Sequence, residues 1–317
     1  MTTNKQKIII TGAAGLLGQN LIVLLKEKGY ANLVAIDKHQ KNLKILEKIH
    51  PEIHTQHADL SQKGDWNKLF HDATSVLMLH AKITGLNSDE FIKDNITATE
   101  NVISAMNEYD VPYLIHISSS VVNSKAKDDY TNTKIAQEKI VSQSKINHCI
   151  LRPTLMFGWF DPKHLGWLSR LMEKLPVFPI PGNGKYLRQP LYCRDFCRII
   201  VAVLEKEISG KTYDIVGMEE IYYIDMIKEI KKAKGLRTII LPIPYRLFRW
   251  LLKIAGFMIK KPPFTVDQLE ALTAGDYFKG VDISQTFGVK PTPLSQAFKE
   301  TFSRDNPYIN IILERTS

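Results

Sequence analysis

The sequence predicts an α/β fold, a doubly wound parallel sheet with a smaller C-terminal α/β substrate lobe. Apolar, strand-like runs alternate with helical patterns, a glycine-rich turn follows the first run, and 317 residues that are 44% hydrophobic can fill a large core. The apolar runs are at 8–10, 33–36, 76–79, 113–117 and 148–151. The helical patterns lie near 16–28, 40–49, 91–108 and 130–144.

The first strand, turn and helix have the pattern of a pyrophosphate-binding site. Gly12 permits a tight turn, Gly15 lets the backbone approach a phosphate without a Cβ in the way, and Gly18 lets the helix pack closely on the sheet. The helix N-terminus, at Leu16 and Leu17, then faces the anion. We therefore predict a Rossmann-type dinucleotide-binding domain.

An acidic residue follows the second apolar run at the spacing that this motif requires. Asp37 lies about 20 positions beyond the glycines. A carboxylate there accepts the 2′- and 3′-hydroxyls of an adenosine ribose and repels a 2′-phosphate, so NAD is predicted in preference to NADP. The nearby Lys38, His39 and Lys41 weaken that preference.

Charge and cysteine content argue against several other classes of function. The net charge of +9 comes from lysines spread along the chain, which indicates a solvated basic surface and no nucleic-acid partner. Three cysteines, Cys149, Cys193 and Cys197, cannot pair off and lack zinc-site spacing, so we expect neither a disulfide framework nor a metal. With no membrane-span or signal-peptide pattern, the expected location is cytoplasmic.

The second half of the chain is less regular than the first. We predict the NAD-binding domain over residues 1–152 and mainly a substrate-binding lobe over 153–317, with returns to the sheet near 191–203 and 212–216. The segment from Tyr245 to Lys261 is basic and amphipathic. We expect it to pack on its own lobe, and membrane-surface contact is disfavoured.

Tyr130 and Lys134 form a candidate acid/base pair. They are four residues apart, and hence on one face of the helix predicted after the 113–117 run. An ammonium beside a phenol stabilises the phenolate, and a lysine can also hold ribose hydroxyls. Three serines end the preceding strand, and we expect the Ser120 hydroxyl to hydrogen-bond the reacting oxygen. Ser120, Tyr130 and Lys134 are the predicted catalytic residues.

With these residues the chain resembles the extended short-chain dehydrogenase/reductase family, in its nucleotide-sugar epimerase and dehydratase branch. The resemblance covers nearly the whole length and implies NAD as cofactor. It implies these cofactor-binding residues: Gly12, Gly15, Leu16, Leu17, Gly18, Asp37, Asp59, Leu60, His80, Ala81, Lys82, Asn95, Tyr130, Lys134 and Pro153. It implies these substrate-binding residues: Thr84, Ser119, Ser120 and Arg188, whose guanidinium suits a diphosphate.

The resemblance also implies a mechanism and an assembly. Tyr130, as phenolate, takes the proton from a sugar hydroxyl while hydride passes from the same carbon to the nicotinamide. Ser120 hydrogen-bonds the oxygen, Lys134 tunes Tyr130, and Asn95 positions the active-site helix. A homodimer is expected through the helices near 91–108 and 130–144.

More than one activity is compatible with this resemblance. Sugar 4,6-dehydratases of the family carry an acidic pair where this chain has Val121 and Val122, so a dehydratase is disfavoured. The leading hypothesis is an NAD-dependent nucleotide-sugar epimerase or 4-keto-sugar reductase. The alternatives are a dehydrogenase or reductase of a non-sugar alcohol or ketone such as a steroid, and a noncatalytic NAD-binding structural subunit.

Overall fold

The computed structural model describes residues 6–85, 87–124, 128–258, 265–274 and 278–314. The strands are β1 (Ile8–Thr11), β2 (Leu33–Asp37), β3 (His54–His57), β4 (Ser75–Met78), β5 (Tyr113–Ile117), β6 (Asn147–Pro153), β7 (Met156–Phe157), β8 (Val177–Pro181), β9 (Leu187–Arg188), β10 (Leu191–Tyr192), β11 (Lys211–Ile215), β12 (Ile221–Tyr222) and β13 (Ile239–Ile243).

The α-helices are α1 (Leu16–Glu27), α2 (Gln40–Ile49), α3 (Ser88–Phe91), α4 (Ala98–Glu108), α5 (Asp129–Gln143), α6 (His164–Lys174), α7 (Cys193–Glu205), α8 (Tyr223–Lys234), α9 (Tyr245–Met258), α10 (Val266–Ala274), α11 (Ile283–Phe287) and α12 (Leu294–Phe302). Two 3-10 helices, Asp65–Phe70 and Ser120–Asn123, and a π-helical segment, Ile92–Thr97, lie between them.

Seven strands form one parallel sheet in the order β11-β6-β5-β4-β1-β2-β3. The central strand β1 is buried along its whole length, as expected where helices cover both faces of a sheet. The chain winds outward through β2 and β3 on one side of β1, and through β4, β5 and β6 on the other. Ligands of such sheets bind beyond the carboxyl ends of the strands where the winding reverses, here between β1 and β4. The predicted doubly wound α/β fold is confirmed.

Two apolar layers cover the faces of this sheet. One contains Leu21 of α1 and Phe196 of α7, packed with side chains of the central strands. The other contains Val102 and Met106 of α4 together with Phe70 of a 3-10 helix. The strand ends that border the winding reversal are thus held between two close-packed layers.

The helix predicted near 91–108 is divided into three parts. The short α3 leads into the π-helical segment 92–97, and α4 follows. A π turn contains an extra residue, and such turns occur frequently at functional sites. Here the π turn directs Asn95 inward, where it is 0% exposed.

The second half of the chain adds small sheets to the large one. β7 pairs with β10, β8 with β13 and β9 with β12, and α6, α8 and α12 enclose a core that includes Phe157, Phe178 and Phe298. Helix α7 packs on α1, while β11 pairs with β6 at the edge of the large sheet. Residues 193–205 and 211–215 therefore lie against the first half of the chain.

The last described residues fold back over α2. The Glu314 N–H donates to Asn42 Oδ1 at 2.8 Å, Asn42 Nδ2 donates to the Glu314 carbonyl at 3.2 Å, and Lys41 Nζ lies 2.8 Å from the Glu314 carboxylate. Tyr308 packs on Phe160, with ring centroids 4.7 Å apart. We call the contacts of Glu314 with Lys41 and Asn42 and of Tyr308 with Phe160 together the tail clasp. It joins parts of the chain that are 272 residues apart in sequence.

Helix α9 is only partly covered. It meets α10, where Arg249 pairs with Glu270, and its Phe248 and Leu252 are partly buried. Four apolar side chains are exposed: Leu247, Trp250, Leu251 and Ile254. Our expectation that this segment packs on its own lobe is wrong for these four, because the contacts with the lobe reach one side of the helix.

Lys260 and Lys261, which belong to the predicted amphipathic segment, lie outside the described residues. Within the described ranges, no helix combines the length and the apolar character that crossing a bilayer requires.

Candidate functional site

The turn between β1 and α1 has no room for side chains at two of its glycines. Gly12 has a φ of +67°, and a Cβ on it would lie 2.7 Å from the His80 backbone nitrogen. A Cβ on Gly18 would lie 2.3 Å from the Ala13 carbonyl oxygen. On Gly15 a Cβ would meet the Gly12 carbonyl oxygen at an ordinary 3.4 Å. The fold itself requires Gly12 and Gly18, whereas it could accept a side chain at Gly15.

The N-terminus of α1 suits an anion. The helix begins at Leu16, directly after Gly15, which has no side chain with which to cap the first turn. The N–H groups of Leu16 and Leu17 have no acceptor within the helix, and the helix dipole adds partial positive charge there. The bare backbone and these N–H groups fit the diphosphate of a dinucleotide.

Asp37 is fixed at the carboxyl end of β2. Its Oδ2 accepts the Ala14 N–H at 2.9 Å and its Oδ1 accepts the His39 N–H at 2.8 Å. Burial raises the pKa of the Asp37 carboxyl above its ordinary value, and the two N–H donors oppose that rise. Because Ala14 belongs to the glycine turn, the carboxylate is held in a fixed position relative to the anion site.

The positive side chains beside this carboxylate have partners of their own. Lys38 pairs with Asp94, and Lys41 pairs with Glu314 at 2.8 Å. The ring of His39 accepts a backbone N–H from the first turn of α2 at 3.3 Å. These ion pairs and this hydrogen bond reduce the electrostatic attraction of the three side chains for a 2′-phosphate. This is consistent with the predicted preference for NAD.

Asp59 and Leu60 lie in the turn that follows β3. Asp59 Oδ1 accepts the Ser61 N–H at 3.0 Å and the Ser61 hydroxyl at 2.6 Å, and Lys93 Nζ lies 3.1 Å from Oδ2. Leu60 is buried, and its carbonyl accepts a hydrogen bond from Asn101 at 2.9 Å. The turn that contains these two predicted cofactor-binding residues is therefore anchored to α4 by Asn101.

The segment His80–Ala81–Lys82, which follows β4, is held by the π-helical segment. Asn95 Oδ1 accepts the Lys82 N–H at 2.7 Å, and Asn95 Nδ2 donates to the Lys82 carbonyl at 3.1 Å. The same Nδ2 donates to Thr133 Oγ1 of α5 at 2.9 Å. Asn95 thus connects the end of β4 to the helix that carries the predicted acid/base pair.

Beyond this point the chain turns toward the second half of the molecule. Lys82 Nζ lies 2.7 Å from the carboxylate of Glu90. Lys163 Nζ lies 3.5 Å from Thr84 Oγ1. Thr84, a predicted substrate-binding residue, is therefore placed near the start of α6, where the two halves meet.

His80 belongs to a network of polar side chains beneath the site. Its Nδ1 lies 2.8 Å from Thr11 Oγ1 and its Nε2 lies 3.5 Å from Thr99 Oγ1, which also accepts from Gln137 Nε2 at 2.8 Å. Burial, reinforced by the nearby Lys134, lowers the pKa of His80 to about 3. His80 is therefore neutral at physiological pH.

Lys134 lies at the centre of the predicted catalytic group. It is 0% exposed, and its Nζ donates to the Ile117 carbonyl at the end of β5 at 2.8 Å. Burial lowers the pKa of Lys134 to about 7, against the opposing effect of Glu138. The amine can therefore gain or lose a proton near neutral pH.

Tyr130 lies one helical turn before Lys134, near the start of α5, where Asp128 caps the helix by accepting the Thr131 N–H at 2.8 Å. Burial raises the pKa of the Tyr130 phenol, and a hydrogen bond with the Ser119 side chain opposes that rise. Ser120, which we predicted to hydrogen-bond the reacting oxygen of the substrate, is buried in the adjoining 3-10 helix. The phenol is therefore partnered by Ser119, and the role of Ser120 at the substrate oxygen stays a prediction.

The remaining predicted residues lie farther along the chain. Pro153 is buried at the carboxyl end of β6. Arg188 lies in β9, opposite Ile221 of β12, and donates to the Leu272 carbonyl of α10. Arg188 therefore belongs to the second half of the molecule, on a different scaffold from Tyr130.

Several residues of the site were not identified from the sequence. Thr133 and Gln137 follow Tyr130 at positions i+3 and i+7 and lie buried on α5. His116 is fully buried in β5, and neither ring nitrogen has a hydrogen-bond partner among the described residues. Burial and Lys134 hold the pKa of His116 well below its ordinary value. A histidine inside an otherwise apolar strand was the available signal for this residue.

The described residues offer neither metal nor disulfide chemistry. Within those ranges, no group of three His, Cys, Asp or Glu side chains is placed to hold a metal ion. Cys149, Cys193 and Cys197 are buried free thiols.

Comparisons with known proteins agree with this arrangement. The profile of the NAD dependent epimerase/dehydratase family matches residues 8–216, from β1 to just past β11. A mitochondrial protein of Mus musculus, NADH dehydrogenase [ubiquinone] 1 alpha subcomplex subunit 9, is 26% identical over 210 residues, 65% of this chain and 55% of that protein. This chain therefore spans little more than half the length of that relative.

A second relative is similar over most of its length. The decarboxylating sterol-4-alpha-carboxylate 3-dehydrogenase erg26 of Schizosaccharomyces pombe is 24% identical over 304 residues, 86% of this chain and 88% of that protein.

Two solved structures show that the fold is shared. UDP-glucuronic acid 4-epimerase from Bacillus cereus, in complex with NAD, has a TM-score of 0.71 at 23% identity over 96% of this chain and 99% of that chain. DesIV, a dTDP-glucose 4,6-dehydratase from Streptomyces venezuelae, has a TM-score of 0.71 at 16% identity over 94% of this chain and 96% of that chain. Since the family profile covers the whole of the large sheet and the turns that follow its strands, this chain belongs to the NAD-dependent epimerase/dehydratase family.

Proposed function

We propose that this protein is an NAD-dependent enzyme that moves a hydride at a carbon of a nucleotide sugar, as an epimerase or as a 4-keto-sugar reductase. One observation carries the proposal. Tyr130 and the buried Lys134 lie one turn apart on α5, and the Ser119 side chain hydrogen-bonds the Tyr130 phenol. This group lies beyond the same edge of the sheet as the glycine turn. A hydroxyl or carbonyl substrate and a nicotinamide can meet at such a place.

The residues of the first half would hold the cofactor. The α1 N-terminus with Gly15 would take the diphosphate, Asp37 the adenosine ribose, and the turn at Asp59 and Leu60 the adenine. Lys134 would hold the ribose next to the nicotinamide. NAD, when bound, supplies the hydride acceptor or donor.

The proton chemistry would belong to Tyr130. In the oxidising direction its phenolate accepts the proton of the substrate hydroxyl, and in the reducing direction its phenol returns a proton to the carbonyl oxygen. Ser119 and Ser120 would hydrogen-bond that oxygen, while the positive charge of Lys134 would favour the phenolate.

A nucleotide-sugar substrate is supported by relatives and by charge. The Bacillus cereus enzyme has also been crystallised with UDP-glucuronic acid, and a dTDP-glucose 4,6-dehydratase of Escherichia coli is 23% identical over 278 residues. Arg188 of the second half would bind the diphosphate through its guanidinium.

The test is the cofactor content of the purified protein, followed by assays with UDP- and dTDP-sugars. Near-stoichiometric NAD(H) released on denaturation, together with interconversion of epimers, supports an epimerase. Little retained cofactor, together with NADH oxidation by 4-keto-sugar nucleotides, supports a reductase. Bound NAD without turnover of either substrate class contradicts the proposal.

The sterol dehydrogenase relative supports a second candidate function, oxidation or reduction of a non-sugar alcohol or ketone, because its similarity extends over 86% of this chain. Such a substrate has no diphosphate. Arg188→Ala distinguishes the two candidates: a selective rise in KM for nucleotide sugars supports the first, and activity on a sterol that is unaffected by the change supports the second.

The respiratory-complex relative supports a third candidate, a noncatalytic subunit that keeps the fold and binds NAD. The Tyr130 and Lys134 pair argues against it, since a structural subunit needs no acid/base group. That candidate predicts bound NAD and no turnover, and a measurable turnover on either substrate class contradicts it.

A further inference from the structure

Helix α9 presents an apolar stripe to solvent. Leu247, Trp250, Leu251 and Ile254 follow the spacing i, i+3, i+4, i+7, which places them on one face of the helix. All four are exposed, and Trp250 is 58% exposed. A surface helix of a globular protein normally packs such a stripe against the core. An exposed stripe of this kind therefore indicates a surface that binds a partner.

The strand that leads into α9 carries two more exposed apolar side chains. Ile239 and Leu241 of β13 are alternate residues and therefore lie on one face of the strand. They are 61% and 47% exposed. We call these six residues the α9 patch: Ile239, Leu241, Leu247, Trp250, Leu251 and Ile254.

The charge on α9 identifies the chemistry of the partner. Residues 245–258 contain Arg246, Arg249 and Lys253 and no acidic residue. Arg246 and Lys253 are exposed, whereas Arg249 pairs with Glu270 of α10. The whole chain carries a net charge of +9. An apolar face flanked by cations is complementary to a surface that is apolar inside and anionic outside.

We propose that the α9 patch docks on an anionic phospholipid membrane, with α9 lying in the plane of the interface. Tryptophan and leucine side chains enter the boundary between headgroups and acyl chains, while arginine and lysine contact lipid phosphates. Apolar burial and electrostatic attraction act together, and the second is screened by salt. The proposal does not depend on the proposed function.

The test is flotation of the full chain with vesicles of phosphatidylcholine alone and of phosphatidylcholine mixed with phosphatidylglycerol. We expect the protein to float with the mixed vesicles at low salt, less at high salt, and little with phosphatidylcholine alone. Trp250 emission should shift to the blue, because the other described tryptophans, Trp66, Trp159 and Trp167, are already at least partly buried.

Variants assign the binding to the patch. The double substitution Trp250→Ser with Leu251→Ser should lower the floated fraction at least about tenfold, since two large apolar contacts are lost. Ile312→Ser, an exposed isoleucine outside the patch, should leave it unchanged. Trp250→Phe should keep most of the flotation and abolish the blue shift. Circular dichroism and NAD binding report whether each variant is folded.

Three outcomes overturn the proposal. The first is no flotation of the native protein with mixed vesicles. The second is flotation that the double variant retains. The third is an oligomer in the native protein that becomes a monomer in the double variant without any lipid binding, which would mean that a second copy of the chain covers the patch.

Discussion

Burial decides the protonation of the buried amine in the candidate site. Lys134 is fully enclosed and its pKa falls to about 7, whereas the same amine in an unfolded chain has a pKa of about 10.4. Between these values the unfolded chain binds a proton that the native protein does not bind. The free energy of unfolding must therefore rise with pH across this interval.

Lys134→Met should remove that pH dependence in the cofactor-free protein. The native chain should gain up to about 1.4 kcal/mol per pH unit between pH 7 and 10, and the variant should lose this gain. Urea unfolding at several pH values measures both slopes. Lys139→Met, an exposed lysine on the same helix, is the control. Equal slopes in the native protein and Lys134→Met would show that the amine stays charged when buried.

Tyr130→Phe should lower turnover by about a hundredfold to ten-thousandfold, because only the proton-transfer group is lost. NAD affinity, measured by calorimetry, should change little. Tyr109→Phe, at the far end of α4, should leave both quantities unchanged. Native turnover in Tyr130→Phe would exclude the phenol as acid or base.

Ser119→Ala should have a larger effect than Ser120→Ala. The Ser119 hydrogen bond lowers the pKa of the Tyr130 phenol, so its loss should move the acidic limb of the kcat/KM profile to higher pH. Turnover at neutral pH should fall by about tenfold to a hundredfold. If Ser120→Ala alone moves the profile, Ser119 is not the group that lowers the pKa of the phenol.

The sequence predicts an individual residue well where the backbone geometry at its position allows only one residue type. Gly12 was predicted from a tight turn and Gly18 from close packing of the helix on the sheet, and the φ of +67° at Gly12 and the distance from Gly18 to Ala13 agree. Three adjacent serines offer the same hydroxyl at three backbone orientations, and only the 3-10 turn after Ser119 selects among them. Spacing alone carries no information about that turn.

At the level of elements, the turn between β1 and α1 separates the needs of the fold from those of the cofactor. The fold has no room for side chains at Gly12 and Gly18, but it could accept one at Gly15. A methyl group at Gly15 would therefore act on whatever approaches the helix N-terminus and not on the packing of the helix.

Gly15→Ala should leave the thermal unfolding temperature nearly unchanged and weaken NAD binding by at least about tenfold, since the methyl group displaces the diphosphate. Calorimetry measures the affinity and differential scanning fluorimetry the stability. Gly18→Ala is the matched contrast and should destabilise the protein, because its methyl group collides with the Ala13 carbonyl. Unchanged NAD affinity in Gly15→Ala would place the diphosphate elsewhere.

Some elements have little or no local pattern of their own, because contacts with distant parts of the chain form them. β3 reads His-Thr-Gln-His and lies at the edge of the sheet, where no apolar run is needed. The π turn at 92–97 depends on the contacts of Asn95 with Lys82 and Thr133, which are distant in sequence. The stripe of α9 has the period of a buried helix, and only its surroundings show that it is exposed.

At the level of the whole molecule, α5 and the π-helical segment leave apolar side chains uncovered on the outside of the first half. Ile92 is 47% and Ile135 is 40% exposed. These residues lie on the helices through which we expect a homodimer, and this surface is separate in sequence from the α9 patch.

Ile135→Arg should convert that dimer to a monomer, because an isologous interface receives the added charge twice. Light scattering after size exclusion measures the mass. Ile312→Arg adds the same charge at an exposed isoleucine elsewhere and should leave the mass unchanged. A native protein that is monomeric at all concentrations would remove the expected dimer.

The tail clasp determines the order in which the molecule can be completed during synthesis. Asn42 is synthesised 272 residues before its partner Glu314, and at about 5 to 20 residues per second the delay is about 14 to 54 s. During that time the outer surface of α1 and α2, with Val23 and Ile45, lacks its cover from the tail. A nascent chain of this protein thus exposes apolar surface on the face that the finished molecule covers last.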